Sequence, residues 1–193
     1  TINIILEETA SFTCGLILKM FYNDLGSLDP WVKKTRKRLS KKNLLVIGTG
    51  NIGKRVVNFM NPILNVATFD ILKNSIDQLE SLINNADCVT IHIPKTNDNI
   101  SFFDKEKLSW MKDNAILVNT SRGPIVDENA LYDELKAKRL IAAFDVYWQE
   151  PYNGKLKRFH PKFFHMTPHV ASTCSDFLYN CREDLDYFID EIQ

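Results

Sequence analysis

The stretch LLVIGTGNIGKRVVNFM, residues 44–60, constrains the fold of this chain more than any other part of the sequence. A short apolar run, typical of a buried strand, leads into three glycines and then into a helical pattern. Gly48 permits a tight turn, Gly50 lets a ligand approach the backbone, and Gly53 lets the helix pack against the strand. A lone glycine motif of this kind is weak evidence, but here a strand precedes it and a helix follows. We therefore predict the start of a dinucleotide-binding fold.

Asp70 strengthens this interpretation, because it ends the second predicted strand, twenty positions after Gly50. An acidic side chain at that position accepts hydrogen bonds from the adenosine ribose hydroxyls and repels a 2'-phosphate, so we expect NAD rather than NADP. Lys73 is close enough to weaken that preference. The cofactor diphosphate would meet the backbone N–H groups at the start of the helix, at Asn51 and Ile52. Considered by itself, Asp70 could instead be a polar residue at a strand end that caps a turn and contacts no cofactor.

From Leu44 onward the chain alternates short apolar runs with amphipathic helical patterns. The predicted strands are LLVIG, NVATFD, DCVTIHI, AILVNT, IAAFDV and the end of FFHMTPH. The predicted helices are NIGKRVVNFMN, SIDQLESLINNA with a cap at Ser75, DKEKLSWM, DENALYDELKAKR and a closing helix. Apolar strands that alternate with helices are typical of a parallel sheet covered on both faces. Because crossovers are right-handed, we predict an α/β fold with a doubly wound parallel sheet, the Rossmann fold.

Three segments make up the predicted domain organisation: an amphipathic helix within residues 1–25, a dinucleotide-binding domain over 26–172 and a C-terminal helix over 173–193.

Between Lys33 and Lys42, seven of ten residues are Lys or Arg. A nucleic-acid patch is one interpretation, but aromatic residues are not interleaved there, and we favour a solvated linker. The chain has no initiator Met and begins inside a predicted helix, so we expect a fragment of a longer protein.

Composition argues against several partners and compartments. Lys plus Arg equals Asp plus Glu, 24 of each in 193 residues, so no overall field attracts nucleic acid or an anionic membrane. The apolar patch near the start is interrupted by charges and lacks a basic leader, so we predict neither a signal peptide nor a membrane span. The four cysteines have no close paired spacing, which favours reduced thiols in the cytoplasm. We predict no metal site.

An arginine, a glutamate and a histidine stand at the carboxyl ends of three successive predicted strands: Arg122 in VNTSRG, Glu150 in FDVYWQEP and His169 in MTPHVAS. Ligands of such sheets bind outside these ends, so the three side chains can converge. Histidine exchanges a hydroxyl proton near neutral pH, a neighbouring carboxylate stabilises the imidazolium, and an arginine fork binds a carboxylate. This set predicts hydride transfer on an alcohol or ketone. Taken singly, the three could be a turn arginine, a solvated strand end and a helix cap.

The other three histidines are expected to be structural. His92 falls in a predicted strand, where histidine is more often a core residue than a functional one. His160 and His165 fall in a loop and in a strand, with no partner visible in the sequence.

Six motifs occur in order along the chain: GTGNIG, Asp70, HIPKT, VNTSRGPIVDENAL, AAFDVYWQEP and TPHVAS. In this order they resemble the D-isomer-specific 2-hydroxyacid dehydrogenases, from about residue 5 to the end. The resemblance implies an NAD-dependent oxidoreductase that interconverts a D-2-hydroxy acid and a 2-keto acid. By position, it implies that Arg122 binds the substrate, that Glu150 is the carboxylate partner and that His169 is the general acid/base.

The resemblance implies further contacts with the cofactor. Thr120 and Ser121 would line the cofactor cleft, and Pro94 would pack near the adenosine half. Asp145 would accept a hydrogen bond from the nicotinamide carboxamide.

The resemblance also implies an organisation beyond these motifs. Family members begin with a substrate-binding domain, and residues 1–22 resemble the interdomain helix that follows it, so we expect that domain to be largely missing here. They pair through the cofactor domain, which implies a homodimer with this helix near the interface. The alternative function is an NAD(H)-binding regulatory or co-repressor-like module without turnover.

Overall fold

A long helix, α1 (Ile2–Phe21), opens the part of the chain that the structure describes. The structure is a computed structural model that describes residues 2–176, Tyr179 and Cys181. Ile17 and Met20 of α1 are buried in one cluster with residues of the central sheet and of the next long helix. The chain then forms a short antiparallel pair, β1 (Gly26–Ser27) and β2 (Val32–Lys33), whose residues are exposed.

Six parallel strands form the central sheet. They are β3 (Asn43–Ile47), β4 (Asn65–Phe69), β5 (Cys88–Ile91), β6 (Ile116–Asn119), β7 (Ile141–Phe144) and β8 (Phe164–Met166). Their order in the sheet is β4-β3-β5-β6-β7-β8. The strand order reverses between β3 and β5, and ligands of such sheets bind beyond the carboxyl ends at that point.

Four helices connect these strands. They are α2 (Asn51–Met60), α3 (Leu79–Asn85), α4 (Lys105–Ser109) and α5 (Glu128–Lys136). Asp104 caps α4 through the N–H of Lys107 at 2.9 Å, and Asp127 caps α5 through the N–H of Ala130 at 2.8 Å. The predicted cap at Ser75 is wrong. A 3₁₀ turn (Ile76–Gln78) precedes α3, and the Ser75 hydroxyl donates to the Asp77 carboxylate instead of accepting from the helix.

Each face of the sheet carries its own core, because alternate side chains of a strand point to opposite faces. Leu44 and Val46 pack with α1 and α2 on one side. Leu45 and Ile47 pack on the other side, in a cluster with Phe103 and residues of α3 and α5. This two-sided burial explains the continuous apolar runs of the sequence, and it confirms the doubly wound parallel sheet.

Several sequence expectations concern the regions around this sheet. The basic segment from Lys33 to Lys42 is exposed apart from half-buried Leu39 and Lys42, as expected for a solvated linker. Of the predicted closing helix, 173–193, residues 177, 178, 180 and 182–193 lie outside the described residues. The domain boundaries remain predictions. Within the described residues, no helix is long and apolar enough to cross a membrane.

Candidate active site

The three glycines of the turn after β3 meet different surroundings. Gly48 has φ +87°, and a Cβ there would lie 2.6 Å from the carbonyl oxygen of His92. A Cβ at Gly53 would overlap the carbonyl oxygen of Gly48. A Cβ at Gly50 would meet no atom within 4 Å. Gly48 and Gly53 are therefore required by the turn and by the packing of α2, whereas Gly50 leaves open space above the turn.

The start of α2 suits an anionic group. Gly50 occupies the cap position, so no side chain caps the helix, and its first turn contains no acidic residue. The N–H of Lys54 donates to the carbonyl of Gly50 at 3.1 Å, so Asn51, Ile52 and Gly53 have N–H groups without a partner inside the helix. Together with the helix dipole, these donors fit a cofactor diphosphate.

Asp70 stands at the edge of this turn. Its Oδ2 accepts hydrogen bonds from the N–H of Thr49 at 2.9 Å and from the Thr49 hydroxyl at 2.6 Å, and its Oδ1 accepts from the N–H of Leu72 at 3.1 Å. The bonds from Thr49 lower the pKa of Asp70, so the carboxyl is ionised at neutral pH. The Nζ of Lys73 lies 2.7 Å from the Thr49 hydroxyl, as close to the site as the sequence suggested.

Glu150 and His169 form the central pair. Oε2 of Glu150 lies 2.7 Å from Nδ1 of His169, and Oε1 accepts from the N–H of Tyr147 at 2.9 Å. Burial raises the pKa of Glu150, but the bonds from His169 and Tyr147 and the charge of Arg122 outweigh it, and the net pKa is lowered. An ionised carboxylate only accepts hydrogen bonds, so Nδ1 carries a proton. Nε2 is thereby left for proton exchange with a ligand.

Asp145 anchors the loop that carries His169. Its carboxylate is fully buried, and Oδ1 accepts from the Thr167 hydroxyl at 2.6 Å and from the N–H of Val170 at 3.0 Å. Oδ2 accepts from the N–H of Ala171 at 2.9 Å. Its predicted contact with the nicotinamide carboxamide stays a prediction. In the structure, both oxygens of this carboxylate accept hydrogen bonds from the loop that carries His169.

Arg122 extends from a turn that Asn119 shapes. Asn119 is fully buried at the end of β6, where its Nδ2 donates to the carbonyl of Arg122 at 2.9 Å. Its Oδ1 accepts from the N–H and from the hydroxyl of Ser121, at 3.0 and 2.9 Å. The Arg122 guanidinium is exposed and donates to the carbonyl of Ser121 at 2.6 Å. Sequence reasoning missed Asn119, although a polar residue that ends a buried strand was a visible signal.

Thr120 connects the site to α1. The Thr13 hydroxyl donates to the carbonyl of Thr9 at 2.7 Å, so it accepts the second bond, from the Thr120 hydroxyl at 2.8 Å. Neither Thr9 nor Thr13 was predicted to belong to the site. The helix before the nucleotide-binding fold therefore contributes to the cleft directly.

A cavity of about 610 Å³ opens where these elements meet. Its walls contain seven of the predicted site residues: Asn51, Ile52, Pro94, Thr120, Ser121, Arg122 and His169. The wall residues that were not predicted are Ile5, Leu6, Thr9, His92, Ile93, Lys95, Ala171 and Ser172. Glu150 instead lines a second cavity of about 790 Å³, and His169 lines both. The histidine thus stands between the two cavities, with its carboxylate partner on the second side.

The remaining histidines differ from their sequence interpretation. His92 follows β5 directly and lines the first cavity. Its Nε2 forms a hydrogen bond with the Thr90 hydroxyl at 3.0 Å. Burial lowers the pKa of His92 to about 4. His165 has a partner after all, because its Nε2 lies 2.9 Å from the Nζ of Lys19. The Nδ1 of His160 lies 3.3 Å from the backbone N–H of Met166. Among the described residues, no group of three or more His, Cys, Asp or Glu side chains could hold a metal ion.

Known proteins resemble this chain along most of its length. Residues 26–171 match the family model described as D-isomer specific 2-hydroxyacid dehydrogenase, NAD binding domain. The chain is 33% identical over 198 residues to a glyoxylate reductase of Thermofilum pendens, and 31% identical over 158 residues to a hydroxypyruvate reductase of Thermotoga maritima. These alignments cover 89% and 76% of the chain, but only 58% and 52% of the relatives. The chain thus spans less than two thirds of the length of these relatives.

Solved structures share the fold. A D-lactate dehydrogenase from Aquifex aeolicus, complexed with NAD and lactic acid, gives a TM-score of 0.82 at 23% identity, over 97% of this chain and 66% of that one. A probable 2-hydroxyacid dehydrogenase from Rhizobium etli CFN 42, in complex with NADP, HEPES and L(+)-tartaric acid, gives a TM-score of 0.79 at 17% identity, over 98% and 66%. These likenesses confirm the predicted α/β fold with a parallel sheet.

Proposed function

The chain belongs to the D-isomer specific 2-hydroxyacid dehydrogenase family, as its NAD-binding domain, and we propose that it forms the cofactor and proton-transfer half of an enzyme that interconverts D-2-hydroxy acids and 2-keto acids. The observation that carries this proposal is the 2.7 Å contact between Glu150 and His169, because His169 lines the same cavity as Asn51 and Ile52 at the start of α2. The relatives described above are reductases and dehydrogenases, and none of them supports the alternative of a regulatory module.

The glycine turn and the start of α2 hold the cofactor in this proposal. The open space at Gly50 leaves room for the diphosphate, while Gly48 and Gly53 allow the tight turn and the close packing of α2. The N–H groups of Asn51 and Ile52 donate to the diphosphate. The ionised carboxylate of Asp70 accepts hydrogen bonds from the ribose hydroxyls. Its negative charge would repel a 2'-phosphate, which supports NAD over NADP. Pro94, Thr120 and Ser121 line the same cavity. When bound, NAD(H) supplies or accepts the hydride.

His169 moves the proton. Its Nδ1–H remains hydrogen-bonded to the Glu150 carboxylate throughout. Its Nε2 gives a proton to the C2 oxygen when a 2-keto acid is reduced, and takes a proton from the C2 hydroxyl when a hydroxy acid is oxidised. The negative charge of Glu150 stabilises the imidazolium that forms in the second direction. Arg122 presents its guanidinium to the same cavity, where it binds the substrate carboxylate and polarises the neighbouring carbonyl.

The complete enzyme requires more than this chain. A substrate-binding domain would supply the rest of the substrate site, which fits the partial coverage of the relatives. We also propose a homodimer. The apolar face of α1 is buried within the chain, but Leu28 and Trp31 beside β1 and β2 are 81% and 73% exposed and offer apolar surface to a second copy. A cytoplasmic location is proposed from the free cysteines.

The test is NADH-dependent reduction of glyoxylate, hydroxypyruvate and pyruvate by the full-length protein, followed at the NADH absorbance. We expect at least one of these 2-keto acids to be reduced, and a D-2-hydroxy acid to be oxidised with NAD in the reverse direction. The affinity for NADH is measured on the same preparation. Tight binding of NADH without reduction of any 2-keto acid would favour the regulatory module and contradict the proposed enzyme.

A further inference from the structure

Tyr147 lies among the segments that carry all three proposed catalytic residues. It follows β7 by three residues and is only 8% exposed. Its ring stacks on Tyr152 with centroids 5.0 Å apart and meets the edge of Phe164 at 6.4 Å. Aromatic contacts of this kind fix the ring in one orientation. The polar atoms of Tyr147 are therefore held at defined positions beside the site.

The backbone of Tyr147 holds one side of Glu150. Its N–H donates to Oε1 at 2.9 Å, while Oε2 of the same carboxylate contacts His169 at 2.7 Å. The carboxylate is thus bonded on both oxygens, and its orientation toward the imidazole depends on where Tyr147 lies.

The hydroxyl of Tyr147 supports the turn that carries His169. It donates to the carbonyl of Thr167 at 2.8 Å, with the carbonyl of Phe144 also in reach at 2.9 Å. The carbonyl of Thr167 also accepts a hydrogen bond from the backbone N–H of His169, at 3.0 Å. His169 has φ +53°, a left-handed conformation that is unfavourable for a residue with a Cβ and persists only when its surroundings hold it.

Two further contacts make Tyr147 a common support. A Cβ on Gly123 would overlap the carbonyl carbon of Tyr147, so the turn that presents Arg122 packs directly on the Tyr147 backbone. Asp145 accepts from the backbone N–H groups of Val170 and Ala171 on the far side of the histidine loop, whereas the Tyr147 hydroxyl donates to the carbonyl of Thr167 on the near side. Burial raises the pKa of Tyr147 well above its usual range, so the hydroxyl keeps its proton and stays a hydrogen-bond donor at neutral pH.

We propose that Tyr147 is a positioning residue, whose hydroxyl holds the turn at Thr167 and so keeps His169 in contact with Glu150. The proposal rests on the proposed function, because it assigns Tyr147 a role through the pair that transfers the proton. The hydroxyl donates to the carbonyl that orients His169, the N–H donates to Glu150, and the backbone supports the turn of Arg122.

The test compares Tyr147→Phe with Tyr152→Phe in the full-length protein. The control removes a hydroxyl from the same aromatic stack, but one that bonds Glu128 at 2.7 Å instead of the histidine loop. For Tyr147→Phe we expect kcat to fall about tenfold, because the loss of one hydrogen bond of about 1.4 kcal/mol corresponds to a factor of ten. The affinity for NADH should stay unchanged. In a Glu150→Gln background the same substitution should lower kcat less than twofold. Equal losses in both backgrounds, or an equal loss in Tyr152→Phe, would overturn the proposal.

A second measurement on this chain alone needs no turnover. The side-chain carboxyl carbon of Glu150 is followed by NMR as a function of pH in the wild type and in both variants. We expect the Glu150 pKa to rise toward its usual value in Tyr147→Phe, because the contact with His169 loosens, and to stay unchanged in Tyr152→Phe. An unchanged pKa in Tyr147→Phe would overturn the positioning role. Absence of 2-keto acid reduction in the wild type would instead contradict the proposed function and leave this titration result standing.

Discussion

Nδ1 of His169 lies 2.7 Å from Oε2 of Glu150, although the two residues are separated by nineteen positions and follow different strands. The pair forms because β7 and β8 are parallel neighbours whose carboxyl ends meet at one edge of the sheet. Asp145 and Tyr147 then bond the backbone on either side of His169. The contact is therefore a product of the sheet topology and of two buried side chains that do not themselves react.

The pairing of Glu150 predicts a small pH-dependent contribution to stability. The pKa of Glu150 is lowered in the folded state, so its ionised form stabilises the fold above its ordinary pKa of 4.5, and this contribution is lost as the pH falls through the lower folded pKa. Since the side chain is 38% exposed, the effect should be about 0.5 kcal/mol. Urea unfolding of the wild type and Glu150→Gln at pH 7 and pH 3 measures it. A difference between the two proteins that is the same at both pH values would contradict the pairing.

Asp145→Ala should destabilise the chain even without a cofactor. The substitution removes three hydrogen bonds to the loop of residues 167–171 and leaves their donors unpaired, at a cost of about 3 kcal/mol. Asp98→Ala, at an exposed position, serves as the control. Urea unfolding of the cofactor-free chain measures both. Unchanged stability together with weaker NADH binding would indicate that Asp145 acts on the nicotinamide instead.

Two glycines of the turn should separate binding from folding. Gly50→Ala places its Cβ in open space, so we expect stability within about 0.5 kcal/mol of the wild type but NADH binding at least about tenfold weaker. Gly48→Ala faces a φ of +87° and a close carbonyl oxygen, so it should cost about 2 kcal/mol or more of stability. Thermal unfolding and NADH fluorescence titrations measure both variants. Tight NADH binding by folded Gly50→Ala would rule out the diphosphate at this turn.

Asp70→Ser should shift the choice of cofactor. The substitution removes the negative charge of the carboxylate that Thr49 bonds and that is proposed to contact the ribose, so NADH affinity should fall about tenfold. NADPH affinity should rise, helped by Lys73 nearby. Competition binding with the two cofactors gives the ratio directly. Lys73→Ala alone should leave NADH affinity within about twofold. An unchanged NADH to NADPH ratio in Asp70→Ser would remove Asp70 from the ribose site.

The parts of this molecule that the sequence predicts well are those set by local pattern. The six strands follow from apolar runs that are buried on both faces, and the glycine turn follows from the demands of a tight turn before a helix. The convergence of Arg122, Glu150 and His169 at one edge follows from parallel topology. Ser75 shows the limit of local reasoning, since its hydroxyl bonds Asp77 and leaves the helix uncapped.

The supporting contacts of the site depend on tertiary distances that sequence spacing does not contain. Lys19 and His165 meet at 2.9 Å across 146 positions, and Thr13 reaches Thr120 across 107. The task of Asp145 in the histidine loop likewise depends on three donors that converge only in the folded chain. A motif can thus indicate which residues belong to a site while leaving open which of them contact a ligand and which hold others in place.

The most direct test of the account is His169→Asn in the full-length protein, with kcat for 2-keto acid reduction and the dissociation constant of NADH measured side by side. The substitution removes the side chain that is proposed to exchange the proton and leaves the glycine turn and Asp70 unchanged. We predict that kcat falls by about 10² to 10⁴ while NADH affinity stays within about twofold. Equal losses of rate and of cofactor binding, or a kcat close to that of the wild type, would contradict the role of His169 as the proton-transferring group.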